Sequence, residues 1–180
     1  MNDDEFRDGM KRFLETSGSV LCGQLTAPSG LFRIAGVPIS QYSSGFVSTN
    51  PGSFKSADVY GNWYADSWEL AEKEARVKGE RTYEYAEITE TIPVLDMNCL
   101  PDIYRDAILQ DRDCPCGCYE KSHIVLALFD TLHPNVPVSG VVFPSRRGDG
   151  QVFVYNPAQV HTNVLYSGQT PPGMDFWGKR

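Results

Sequence analysis

Apolar residues recur at helical intervals near the start of the chain. Phe6, Met10, Phe13 and Leu14 fall on one face, so residues 5–16 are expected to form an amphipathic helix. Gly and Pro then cluster at Ala27-Pro-Ser-Gly30 and mark a turn. Four apolar or alternating runs follow that read as strands: residues 31–34, 61–65, 82–88 and 92–95. In the third, Tyr83, Tyr85 and Glu87 alternate with Glu84, Ala86 and Ile88. Residues 40–55 are rich in Ser, Gly and Asn and read as a long loop, the kind of segment that often carries function. Asp66 or Ser67 caps an expected helix that runs through Trp68, Leu70, Ala71 and Ala75 to about Lys78.

In the second half, residues 102–110 read as a short helix. Residues 121–131 fit a buried helix or a buried strand, and periodicity does not separate the two. Residues 138–143 and 151–155 read as strands around a turn at 144–150. The Pro- and Gly-rich tail from Gly168 is expected to be loosely held. Short strands with a few helices make the class α+β. With no internal repeat and no linker, the 180 residues read as one domain, with residues 1–30 as N-terminal helix and lead-in.

Composition narrows the partners. The chain is 41% apolar and has no apolar run of membrane-spanning length. Its net charge of -7 argues against a broad nucleic-acid footprint, though one or two arginines can still hold a small anion. The acidic N-terminus has no apolar signal core. A cytoplasmic location is expected, or delivery into a target cell by a specialised secretion system, which needs no such core. The five cysteines are an odd number and favour free thiols in a reducing compartment. Cys114, Cys116 and Cys118 alternate instead of forming CxxC pairs, and a fourth ligand would have to be His123 or the distant Cys99. No metal is expected.

Three segments carry candidate chemistry. Arg33 lies inside the short apolar run Leu31-Phe-Arg-Ile34, where a guanidinium needs a partner and its planar fork suits a pyrophosphate. Alone, it also fits an edge strand with its charge in solvent. Gly61-Asn-Trp-Tyr-Ala-Asp66 offers aromatic rings beside a glycine, suited to stacking on a flat heterocycle, although alternation sends either Trp63 or Tyr64 into the core. The third runs from Gly140 to Val160, where Ser145 and Arg146-Arg147 sit in a glycine-containing loop between two β-rich runs. That loop suits a phosphate and equally suits an ordinary hairpin tip.

In order and type, these segments resemble the ADP-ribosyltransferase superfamily. Gly61-Asn-Trp-Tyr-Ala-Asp66 with Leu70 and Ala71 looks like the glycine–aromatic strand and following helix of its poly-ADP-ribose polymerase branch. Gln151-Val-Phe-Val-Tyr-Asn-Pro157 looks like that branch's late strand, which usually opens with Glu. RES-domain toxins are resembled at least as well, through Leu31-Phe-Arg33, Tyr64, Glu74 within Glu69-Leu-Ala-Glu-Lys-Glu74, Pro144-Ser145 and Val154-Tyr-Asn-Pro157. The resemblance covers residues 31–160. Two features depart from it: Gln151 replaces the usual Glu, and no glycine–arginine–tryptophan stretch occurs in 43–60. The Cys114–Cys118 segment looks like an insertion.

The resemblance implies two small antiparallel sheets around an NAD⁺ cleft, with flanking helices. It implies cleavage of the nicotinamide–ribose bond through an oxocarbenium-like state, which a carboxylate stabilises. Glu74 takes that role. Arg33 holds the phosphate or ribose side, and Tyr64, with Trp63 as substitute, packs on nicotinamide, whose cationic ring adds cation–π attraction. Ser145 hydrogen-bonds the ribose or orients Arg33, and Gln151 hydrogen-bonds the ribose. The acceptor is water, phosphate or a macromolecule, and a toxin of this kind needs an antitoxin or immunity protein. The alternative is the same fold without catalysis, acting as a binding module.

Overall fold

In the computed structural model, the residues described are 1–26, 30–34, 40–42, 59–65, 82–88, 90–111, 119–144, 151–154 and 160–166. The first helix, α1 (Asp3–Ser17), begins at a capping box. Asn2 Oδ1 accepts from the Glu5 amide at 2.9 Å, and Glu5 Oε2 accepts from the Asn2 amide at 3.1 Å, so two otherwise orphaned donors are satisfied. Three acidic residues in the first turn favour the same end of the helix dipole. Phe6, Met10 and Leu14, spaced by four, are fully buried. Helix α2 is Asp102–Leu109 and helix α3 is Glu120–Leu132. The apolar run that fitted either a helix or a strand is therefore a helix, as its length favours.

The strands are β1 (Cys22–Leu25), β2 (Gly30–Ile34), β3 (Ser40–Tyr42), β4 (Val59–Ala65), β5 (Thr82–Ile88), β6 (Ile92–Asp96), β7 (Gly140–Phe143), β8 (Gln151–Val154) and β9 (Val160–Tyr166). They form a nine-stranded sheet in the order β1-β6-β7-β8-β4-β2-β5-β9, with β3 also on β4. Strands β1, β3 and β9 were not anticipated. The 40–55 stretch, read as loop, opens with a strand; residues 43–58 lie outside the described ones, as do the expected helix after Asp66 and the tail from Gly168.

The expectation of two antiparallel sheets is corrected on two points. First, β6 and β7 pair in parallel, because the chain between them contains α2 and α3 and returns to the same end of the sheet. Second, the strands form a continuous path. Among the described residues, β2 joins β4 at the register pair Phe32–Ala65. β3 also pairs with β4, with Ser40 opposite Gly61.

Alternation on β6 and β7 separates two cores. Leu95, Val141 and Phe143 pack with Phe6, Met10, Leu14, Ile108, Val125, Leu126 and Phe129, so the three helices cover one face. Val94, Val142 and Val152 join Tyr64, Ile88 and Ile92 on the other. Two glycines let the helical layer close. A Cβ on Gly9 would meet the Tyr104 hydroxyl at 2.7 Å, and Tyr104 packs edge-on against Phe6. A Cβ on Gly18 would meet His133 Nε2 at 2.4 Å.

Lys121 ties the layer together. Its Nζ is 2.9 Å from Asp3 Oδ1 and 3.2 Å from Asp111 Oδ1, while its own amide donates to Asp111 Oδ2 at 2.6 Å. Burial alone would pull the Lys121 ammonium down, but the two carboxylates hold its pKa above the ordinary value.

Candidate functional site

Extending the strand registers across the sheet collects residues far apart in sequence. Tyr64 lies opposite Val152, Val152 opposite Val142, and Val142 beside Asp96. On the other side, β2 meets β4 at the Phe32–Ala65 pair, and Arg33 and Tyr64 each lie one residue from it, so the two share a face. Arg33 in turn lies opposite Glu84, and Glu84 opposite Val164. Residues directly opposite share a face, so one transverse row reads Val164, Glu84, Arg33, Tyr64, Val152, Val142, Asp96.

This row lies on the sheet face opposite α1, α2 and α3, since Tyr64, Val142 and Val152 belong to the second core. Ile88 shares alternation with Glu84 on β5 and is in that same core, which places the β5 end of the row on the same face. Tyr64 is only 3% exposed and forms part of the floor of this face.

The other residues expected at the site divide clearly. Trp63 is opposite Phe153, and Gln151 is opposite both Ala65 and Phe143, so both occupy register positions of the helix-covered face. Gln151 is also the first residue of β8, at the strand end. Glu74 and Ser145 lie outside the described residues, although Ser145 directly follows the buried Pro144 at the end of β7. Cys114, Cys116 and Cys118 lie outside them too. Among the described residues, no group of three or more His, Cys, Asp or Glu could hold a metal ion, and no helix is long and apolar enough to cross a membrane.

Sequence reasoning did not single out Glu84 or Asp96 as site residues. A signal for Glu84 was available: a charge sharing an alternation stripe with Ala86 and Ile88 is a carboxylate on an otherwise apolar face. Nothing marked Asp96, because its place depends on the parallel β6–β7 pairing. Asp96 Oδ1 accepts from the Asn98 amide at 2.9 Å and so stops β6. Next to it, burial and the Asp96 carboxylate raise the pKa of the Cys99 thiol, which disfavours the thiolate a nucleophile requires. His123, on α3, is driven by burial down to about 4, with Glu120 working in the opposite direction.

No protein-family model matches the sequence, and no curated protein matches it. Among solved structures, the fold is similar to a chain in the crystal structure of the M. tuberculosis MbcT–MbcA toxin–antitoxin complex. The TM-score is 0.50 at 14% sequence identity, covering 89% of this chain and 93% of that one. At that identity the likeness concerns the fold.

Proposed function

We propose that this chain is an NAD⁺-consuming toxin that cleaves the nicotinamide–ribose bond and is restrained by a protein antitoxin. The observation that carries the reading is that Arg33 and Tyr64, both assigned by the resemblance to the dinucleotide site, fall on neighbouring strands and on one face. The fold's likeness to a chain of a toxin–antitoxin complex supports the toxin and antitoxin parts.

In this reading Arg33 binds the pyrophosphate or ribose side of the dinucleotide. Tyr64 supplies an apolar aromatic floor for the nicotinamide end, and Trp63 is the lesser aromatic candidate. Glu74 stabilises positive charge developing on the ribose as nicotinamide departs. Ser145 hydrogen-bonds the ribose or orients Arg33, and Gln151, the first residue of β8, hydrogen-bonds the ribose. The ribosyl group passes to water, phosphate or a macromolecular acceptor.

The test is nicotinamide release from NAD⁺ by the purified protein beside its Glu74→Gln variant. Release by the wild type, falling about 100-fold or more in the variant, is the expected outcome. Absence of release with water, phosphate and cell lysate each supplied would overturn the enzyme reading. The second reading, a binding module, is favoured by Gln151, which offers no charge where a catalytic Glu is usual. It would show as NAD⁺ binding without release.

A further inference from the structure

Glu84 stands directly opposite Arg33 in the β2–β5 register, on the face that carries Tyr64 and Ile88. The pairing is a central one. β2 lies between β4, which carries Tyr64, and β5, where Glu84 is the register partner of Arg33. Along β5 the companions of Glu84 are Ala86 and the 1%-exposed Ile88, and along β2 the companion of Arg33 is Leu31. An arginine and a glutamate thus occupy directly opposed register positions on neighbouring strands, a cross-strand arrangement in which opposite charges attract.

Arginine has five donors in a rigid fork, and a carboxylate engages two of them. The remainder are left for a second anion. A guanidinium held on one side is restricted before ligand arrives, so less ordering accompanies binding. We propose that Glu84 is a positioning residue for Arg33, holding the guanidinium ready for the anionic part of a dinucleotide on this face. The inference rests on the NAD⁺-cleaving reading and adds a residue to it. Glu84 acts through Arg33 and takes no part in the bond cleavage.

A residue that only prepares Arg33 contributes equally to ground state and transition state, so its loss appears in KM and not in kcat. The experiment is steady-state nicotinamide release from NAD⁺ by the wild type, Glu84→Gln, Glu84→Asp, Arg33→Lys and the Glu84→Gln/Arg33→Lys pair. NAD⁺ binding by calorimetry and urea unfolding accompany it. Glu84→Gln is expected to raise KM about 10-fold with kcat within about 3-fold, while Glu84→Asp keeps the charge and most of the affinity. The double variant is expected to be little worse than Arg33→Lys alone.

A wild type that cleaves NAD⁺ while Glu84→Gln matches it overturns the positioning role and leaves the functional reading standing. A 100-fold or greater fall in kcat at unchanged KM also overturns it, making Glu84 a reacting carboxylate. A wild type that neither binds nor cleaves NAD⁺ removes the functional reading and the proposal together. If Glu84→Gln is too unstable to assay, Glu84→Asp and the Arg33→Lys background carry the comparison: additive effects there overturn the proposal.

Discussion

Replacing Gly18 with Ala should destabilise the protein, and removing His133 first should reverse the sign. Gly18 has φ -58 and ψ -28, which alanine adopts without strain. On backbone grounds alone the substitution would therefore stabilise by about 0.4–1 kcal/mol. The obstacle is steric. The added Cβ would lie 2.4 Å from His133 Nε2 and 3.1 Å from Cδ2, about 1 Å inside ordinary contact. That imidazole is not free to swing away. Its Nε2–H donates to the Leu14 carbonyl at 3.0 Å, and its ring lies 4.9 Å from the Phe129 ring centroid. Displacing it weakens one hydrogen bond, at about 1 kcal/mol, and strains the packing by about 1–3 kcal/mol. Set against the backbone gain, the net loss is about 1–3.5 kcal/mol, or roughly 2–14 °C in Tm for a chain of this size. In a His133→Ala background the collision is gone, and Gly18→Ala should be neutral or stabilising. Urea unfolding followed by far-ultraviolet circular dichroism across the four proteins measures the coupling, expected at 1 kcal/mol or more. Additive effects within about 0.3 kcal/mol would refute the reasoning.

Two further outcomes follow from the charged groups of the helical layer. Asp111→Asn removes the better-buried of the two carboxylates on Lys121, leaving the exposed Asp3, and should cost about 2 kcal/mol; Lys121→Met should cost less, and a reversed order in urea midpoints would contradict the clasp. His123 is neutral in the folded state down to about pH 4, whereas the unfolded chain takes up its proton below about 6.5. The unfolded state therefore binds more protons between those values. The His123 contribution is fully present above pH 6.5 and is lost as pH falls to 4, about 2 kcal/mol after allowance for solvent screening. His123→Gln should flatten that part of the stability–pH curve, and identical slopes in the two proteins would exclude it.

Much of the local structure was legible in the pattern of residues. Phe6, Met10 and Leu14 repeat every four positions, and Asn2 with Glu5 caps the helix they form, so α1 follows from contacts within one segment. The strands β2, β4, β5, β6, β7 and β8 were visible as apolar or alternating runs, to within a residue or two at each end. β9 escaped notice, although its Val-His-Thr-Asn-Val-Leu-Tyr is rich in β-formers, because it follows Asn-Pro without a clear break. Ser40–Tyr42 looked like loop because its strand character comes from pairing with β4 and not from its own side chains.

The site divides along the same line. Arg33 and Tyr64 could be named as candidates from residue type and neighbours alone, since an arginine in an apolar strand and an aromatic beside a glycine are local features. Which residues stand beside them could not. Glu84 next to Arg33, Val152 next to Tyr64, and Asp96 at the far end depend on strand order and register. Those are long-range pairings, and a shift of one residue would have sent every partner to the opposite face. Alternation also left open whether Trp63 or Tyr64 shared a face with Arg33; the Phe32–Ala65 pairing decided for Tyr64. Sequence by itself determined the kinds of groups available and most of the segments that carry them. Only the tertiary structure decided which of them meet, because hydrogen-bond register between distant strands, and not local propensity, sets that choice.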